Sequence, residues 1–137
     1  AGGVPVGAVL AGGAAAEVLQ SGDHGSTFGG NPLAAAGGLV VLETVDNPAF
    51  LAEIARKGEK FRSLIAAWRH PRVLDIRGRG LMIGVDIDGS AGDILNRALE
   101  AGLLLLSAGE KTLRFLPPYV IDDAEIDEGL EILRGLI

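Results

Sequence analysis

The chain has 137 residues, within the size of one domain, and 48% of them are apolar, which excludes a disordered polymer. Its net charge of −6 argues against a general nucleic-acid or anionic-membrane surface. There is no cysteine, which excludes a disulfide framework and a thiolate metal site.

Val4 to Leu10 (VPVGAVL) reads as a short buried strand. The N-terminal apolar run is short and glycine-rich and has no basic leader, so neither a signal peptide nor a membrane span is expected; a cytoplasmic protein is. The glycine-rich opening reads as the middle of a loop, so the chain is expected to begin inside something larger. Ala14 to Gln20 predicts one or two helical turns. Residues 21 to 32, SGDHGSTFGGNP, then form a loop whose glycines let backbone approach closely.

Asn31-Pro32 is a helix start: Asn caps, and Pro at the first helical position has no amide to leave unpaired. The helix that follows shows a mostly small face of Leu33, Ala36, Gly37, Val40, Val41 and Thr44. Asn47-Pro48 repeats the signal. A second helix carries Ile54, Phe61, Ile65 and Trp68 at helical spacing, and the two together read as a nearly continuous connector.

From Val73 the period changes to two. Val73 to Ile76 is a strand, Arg77-Gly78-Arg79-Gly80 a bulge or turn, and Leu81, Ile83, Val85 and Ile87 the buried side of a second strand. Ser90 to Ala101 is a helix closed by Gly102. Strands at Leu103 to Ser107 and Thr112 to Phe115 follow. Asp122 and Glu125 have the spacing of a capping box ahead of a last helix. The expected fold is α/β, with an α+β layer of β-β-α-β-β-α order over residues 70–137, helices on one face of a mostly antiparallel sheet.

The loop at 21–32 offers free amides and the hydroxyls of Ser26 and Thr27, groups that bind a phosphate or carboxylate; a plain helix-capping turn is an equal reading. It is not a P-loop, having no Gly-Lys-Ser/Thr. His24 has no carboxylate neighbour in sequence, so a bond to local backbone is expected rather than catalysis. Asp86 and Asp88 fit a solvated strand end better than a metal site. Trp68 reads as packing. Arg114, in TLRFLPP, needs a partner: a protein carboxylate, an anionic ligand, or water at a sheet edge.

Four segments in order, GGVPVGAVLA, GDHGSTFGGNPLAAAGGLVVLE, IRGRGLMIGVDI and AGEKTLRFLPPYVI, resemble the class III pyridoxal-phosphate aminotransferases, above all their acetylornithine branch. The resemblance implies a fold-type I enzyme, with residues 1–45 closing a large cofactor domain and 46–137 forming a connector helix and small domain. It implies a homodimer with active sites at the subunit interface, acting on a small-molecule amino donor and 2-oxoglutarate, with no nucleic acid or membrane partner. Thr27 matches the ligand of the cofactor phosphate of the neighbouring subunit, and Ser26 and Arg114 match positions facing the substrate. The reaction implied is transfer of the amino group of N2-acetylornithine to 2-oxoglutarate in arginine biosynthesis. Ornithine, succinylornithine and 4-aminobutyrate are alternative donors, and a non-catalytic α+β anion-binding module is an alternative of another class. The family's covalently linked lysine precedes the first matching segment, and Lys57, Lys60 and Lys111 do not match it. No residue here is expected to be catalytic, and the chain by itself is expected to be inactive.

Overall fold

A computed structural model describes residues 2–137. The chain divides into two compact units between Phe50 and Leu51.

Among its described residues the first unit holds one complete α-helix. Residues 4–12 form no regular element, and Gly13–Glu17 make a single 3-10 turn. The expected strand at Val4–Leu10 is therefore absent. A strand needs a neighbour to take its amide and carbonyl groups, and among the described residues this run has none. Helix α1 (Pro32–Val45) begins as its sequence predicts: the Asn31 side chain accepts from the Ala34 amide at 3.0 Å, and Pro32 occupies the first turn. Only Ala34 of this helix is buried; Leu33, Leu39, Val40 and Leu42 are exposed.

Helix α2 (Pro48–Ala67) is separated from α1 by Asp46 and Asn47 rather than continuous with it. The Asn47 carboxamide accepts from the amides of Ala49 and Phe50, so the chain stops and restarts within two residues. Strands β1 (Val73–Arg79) and β2 (Met82–Ile87) form a hairpin about Gly80 and Leu81, with Gly80 at a φ of 53°. Helix α3 (Ala91–Glu100) starts on the Ser90 hydroxyl. It ends in a Schellman closure: the Leu103 amide donates to the Ala98 carbonyl and that of Gly102 to Leu99. That closure takes Leu103 out of the expected strand, so β3 is only Leu106–Ser107. Strand β4 (Thr112–Phe115) and helix α4 (Asp123–Arg134) complete the unit, α4 opening on the reciprocal Asp122–Glu125 capping box.

The sheet order is β1-β2-β4-β3, antiparallel at every junction. Its inward residues Ile83, Val85, Ile87, Leu113 and Phe115 form one core with Phe61 and Ile65 of α2, Ile94 of α3 and Ile126, Leu130 and Leu133 of α4. Phe61 and Phe115 meet at 5.0 Å between ring centroids. Trp68 packs against the rim of this core, as expected. The helices thus cover one face, and the opposite face presents Asp75, Arg77, Gly84, Asp86, Thr112 and Arg114.

Candidate functional site

In the first unit the loop preceding α1 is held at its ends. Asp23 accepts from the Gln20 amide at 2.8 Å, and the Asn31 carboxamide donates to the Phe28 carbonyl at 2.9 Å. Between these ties the Ser26 and Thr27 side chains are exposed, and neither makes a hydrogen bond among the described residues. A Cβ on Gly29 would sit 2.8 Å from Ser26 Cβ and 2.9 Å from its Oγ, so glycine is what lets the chain fold back over the serine. Open hydroxyls beside close-folded glycine backbone are a donor set that fits a phosphate. His24 makes no hydrogen bond among the described residues, so the local backbone bond expected of it is absent.

In the second unit, Arg114 lies on β4, between β2 and β3, opposite Gly84 on one side and Leu106 on the other. It is not at a sheet edge, though it is only half-buried. It forms no ion pair among the described residues, and its Nε is buried without a hydrogen-bond partner. A buried donor left unpaired costs about 1–3 kcal/mol.

Sequence reasoning missed the cluster beside it. Arg77 is gripped by Asp86 and Asp75, and Thr112 bonds Asp86 from the far side. The hydrogen bonds from Arg77 and Thr112 hold the Asp86 carboxyl below the usual aspartate range. Asp86 is thus an ion-pair partner, and the described residues contain no metal-binding cluster. The signal lay in the register: opposite charges at outward positions of adjacent strands become visible only once the pairing is known. Lys60 is unsuited to covalent chemistry. Lys60 donates to Asp127 at 3.0 Å and to the Asp123 carbonyl, and the Asp127 contact raises its pKa, whereas a nucleophilic amine needs it lowered.

Comparison with known proteins matches the aminotransferase class-III family over residues 1–137. The chain belongs to the class III aminotransferases. It is 46% identical to the acetylornithine aminotransferase of Caldanaerobacter subterraneus over 99% of its own length and 35% of that protein's. The N-acetylornithine aminotransferase structure from Stenotrophomonas maltophilia superposes with a TM-score of 0.74 at 39% identity, covering 79% of this chain and 31% of that one. An ornithine aminotransferase from Toxoplasma gondii, described with partial occupancy of PLP at its active site, gives 0.75 at 32% identity over 89% of this chain and 30% of that one. The chain thus spans about a third of the length of the curated relatives it matches. No helix among the described residues is long and apolar enough to cross a membrane.

Proposed function

We propose that this chain serves as one part of a cytoplasmic, pyridoxal-phosphate-dependent aminotransferase that moves the amino group of N2-acetylornithine to 2-oxoglutarate. The observation that carries the reading is the match to acetylornithine aminotransferases along the whole chain. When bound, pyridoxal phosphate supplies the carbonyl and electron sink for amino-group transfer. Thr27 would hold the cofactor phosphate through its hydroxyl. Ser26 borders the substrate, and the Arg114 guanidinium holds a substrate carboxylate, giving its buried Nε the acceptor it lacks. No lysine of this chain links to the cofactor.

The functional unit in this reading is a homodimer, in which Thr27 reaches the cofactor held by the partner subunit. The chain is one part of a larger protein in this reading, and α1 fits that: it is apolar on nearly all sides yet buries only Ala34. A helix of that composition belongs inside a larger assembly.

A graft tests the proposal: this chain replaces the matching segment of the Caldanaerobacter enzyme. The chimera is expected to transaminate N2-acetylornithine. Thr27→Ala is expected to weaken pyridoxal phosphate by about 10- to 100-fold, the loss of one charge-assisted hydrogen bond. The 137-residue chain by itself is expected to show no turnover. An inactive but folded chimera, or steady turnover by the chain by itself, overturns the reading.

A further inference from the structure

On the open face of the sheet one row across the strands reads Arg77, Gly84, Arg114, and Arg79, opposite Met82, stands one row further along. A cavity of about 510 Å³ opens over this face. All three arginines line it, with Gly84 and Thr112 among them, and no acidic residue does among the described residues. The three guanidiniums are not equivalent. Arg77 spends its fork on neighbouring acids: Nη1 donates to Asp86 Oδ2 at 2.7 Å and to Asp75 Oδ2 at 2.8 Å, and Nη2 donates to Asp86 Oδ1 at 2.9 Å. Arg79 and Arg114 form no ion pair and no side-chain hydrogen bond among the described residues, and the Arg114 Nε is buried as well. Gly84 keeps the floor of the cavity low: a Cβ there would meet Thr112 Cγ2 at 3.4 Å and Arg77 Cγ at 3.8 Å.

We propose that Arg79 is a second carboxylate-binding residue of this cavity: a short dicarboxylate places one end on the Arg114 guanidinium and the other on that of Arg79. The inference rests on the reading of Arg114 as a carboxylate-binding residue, and it adds the residue that makes the site prefer two ends to one. The two backbones lie about 10 Å apart across two strand spacings and about 7 Å apart along the strands, a diagonal of about 12 Å. Two arginine side chains and a five-carbon dicarboxylate between them span that distance. Both anchors carry the planar fork that matches a carboxylate. Arg77 supplies neither anchor, because its Nη donors are committed to Asp75 and Asp86. Arg79 is exposed, so its contact is a solvated one and gives selectivity rather than tight binding. In the reading above the amino acceptor, 2-oxoglutarate, has two carboxylates and the donor, N2-acetylornithine, has one. Arg79 thereby distinguishes acceptor from donor.

The test titrates the 137-residue chain with acetate and with glutarate at low salt, following the Gly84 and Thr112 amides and the Arg114 Nε–H by NMR. The unaltered chain is expected to bind glutarate about tenfold more tightly than acetate: about twofold from having two equivalent ends, and about fivefold from one solvent-exposed charge pair. Arg79→Gln should leave acetate binding nearly unaltered and bring the preference down to the statistical factor of about two. Arg79→Met, of similar length and also uncharged, gives the same readout where the Gln variant does not fold. Arg134→Gln, the same change of charge on α4 behind the sheet, should leave the preference unaltered. A preference of only about twofold in the unaltered chain, one that survives removal of the Arg79 charge, or one that Arg134→Gln lowers equally, overturns the inference. Arg114→Gln separates the two levels. Acetate binding that persists in it, or no acetate binding by the unaltered chain, overturns the carboxylate reading itself.

Discussion

Gly58 lies in the middle of α2, where alanine would ordinarily be favoured by about 1 kcal/mol through helix propensity. Here the sign is expected to reverse. A Cβ on Gly58 would stand 2.2 Å from the Gly80 carbonyl oxygen and 2.6 Å from its carbonyl carbon. Both atoms are backbone, so no side-chain rotation relieves the contact. Helix and hairpin tip must part by about 1 Å or more to regain ordinary separation. The tip yields poorly, because Gly80 has a positive φ and Leu81 beside it is buried. Overpacking of this kind costs about 1–3 kcal/mol. Taking the upper end and subtracting the propensity gain leaves a net destabilisation of about 2 kcal/mol. For a unit of this size that lowers Tm by roughly 8–16 °C. Urea unfolding of Gly58→Ala, followed by the fluorescence of the single tryptophan, Trp68, measures it. Gly129→Ala in α4 is the control: its Cβ would meet Leu103 Cδ1 at an ordinary 3.5 Å, so a gain of about 0.5–1 kcal/mol is expected. A Gly58→Ala chain as stable as the parent, or more so, refutes the close approach of helix and hairpin.

Asp122→Ala removes the side-chain half of the α4 capping box and should cost about 1 kcal/mol, read from the same urea curves. Leu133→Ala, at a fully buried core position, should cost about 2–5 kcal/mol and bring the unit close to unfolding at 25 °C. Arg77 holds the carboxyl of Asp86, and Arg56 that of Asp123, below their ordinary value. Their contribution is therefore whole above the unfolded aspartate pKa of about 4 and is lost as pH falls through the lower folded values. Lys60 shifts the other way, upward from 10.5, so its contribution holds below that value and is lost as pH rises past it. Urea midpoints at several pH values should show both limbs, the acid one shallower in Asp86→Asn, and both flattened by salt because solvent reaches all of these groups.

The second unit was legible because each local signal finds its partner within the chain. The alternation at 81–87 becomes the buried side of β2, and the spacing of Asp122 and Glu125 becomes a closed capping box. The misreadings there come from glycines and caps with more than one use. Gly78 was expected in a bulge or turn, yet β1 runs through it to Arg79. Its φ of 147° and the 2.2 Å that would separate a Cβ from the Met82 carbonyl oxygen show what the glycine provides: room for β2 to come close. Leu103 looked like the start of a strand, but its amide is committed to the Ala98 carbonyl. Apolar pattern alone does not reveal where an amide is spent.

The first unit marks the opposite limit. VPVGAVL has the apolar content of a buried strand, and α1 has that of a buried helix, yet Leu10 is fully exposed and Leu33 is 74% exposed. Composition records the environment a segment is suited to; whether that environment is present depends on what else packs there. The same distinction governs the site residues. The need of Arg114 for a partner could be read from one charge in an apolar strand, because an unpaired buried donor is costly wherever it occurs. That neither Asp75 nor Asp86 meets this need became visible only when the register set Arg114 opposite Gly84 and gave those two carboxylates to Arg77. An acid assigned to one arginine is unavailable to its neighbour, so the ion pair that sequence reasoning missed is also the reason Arg114 pairs with neither Asp75 nor Asp86.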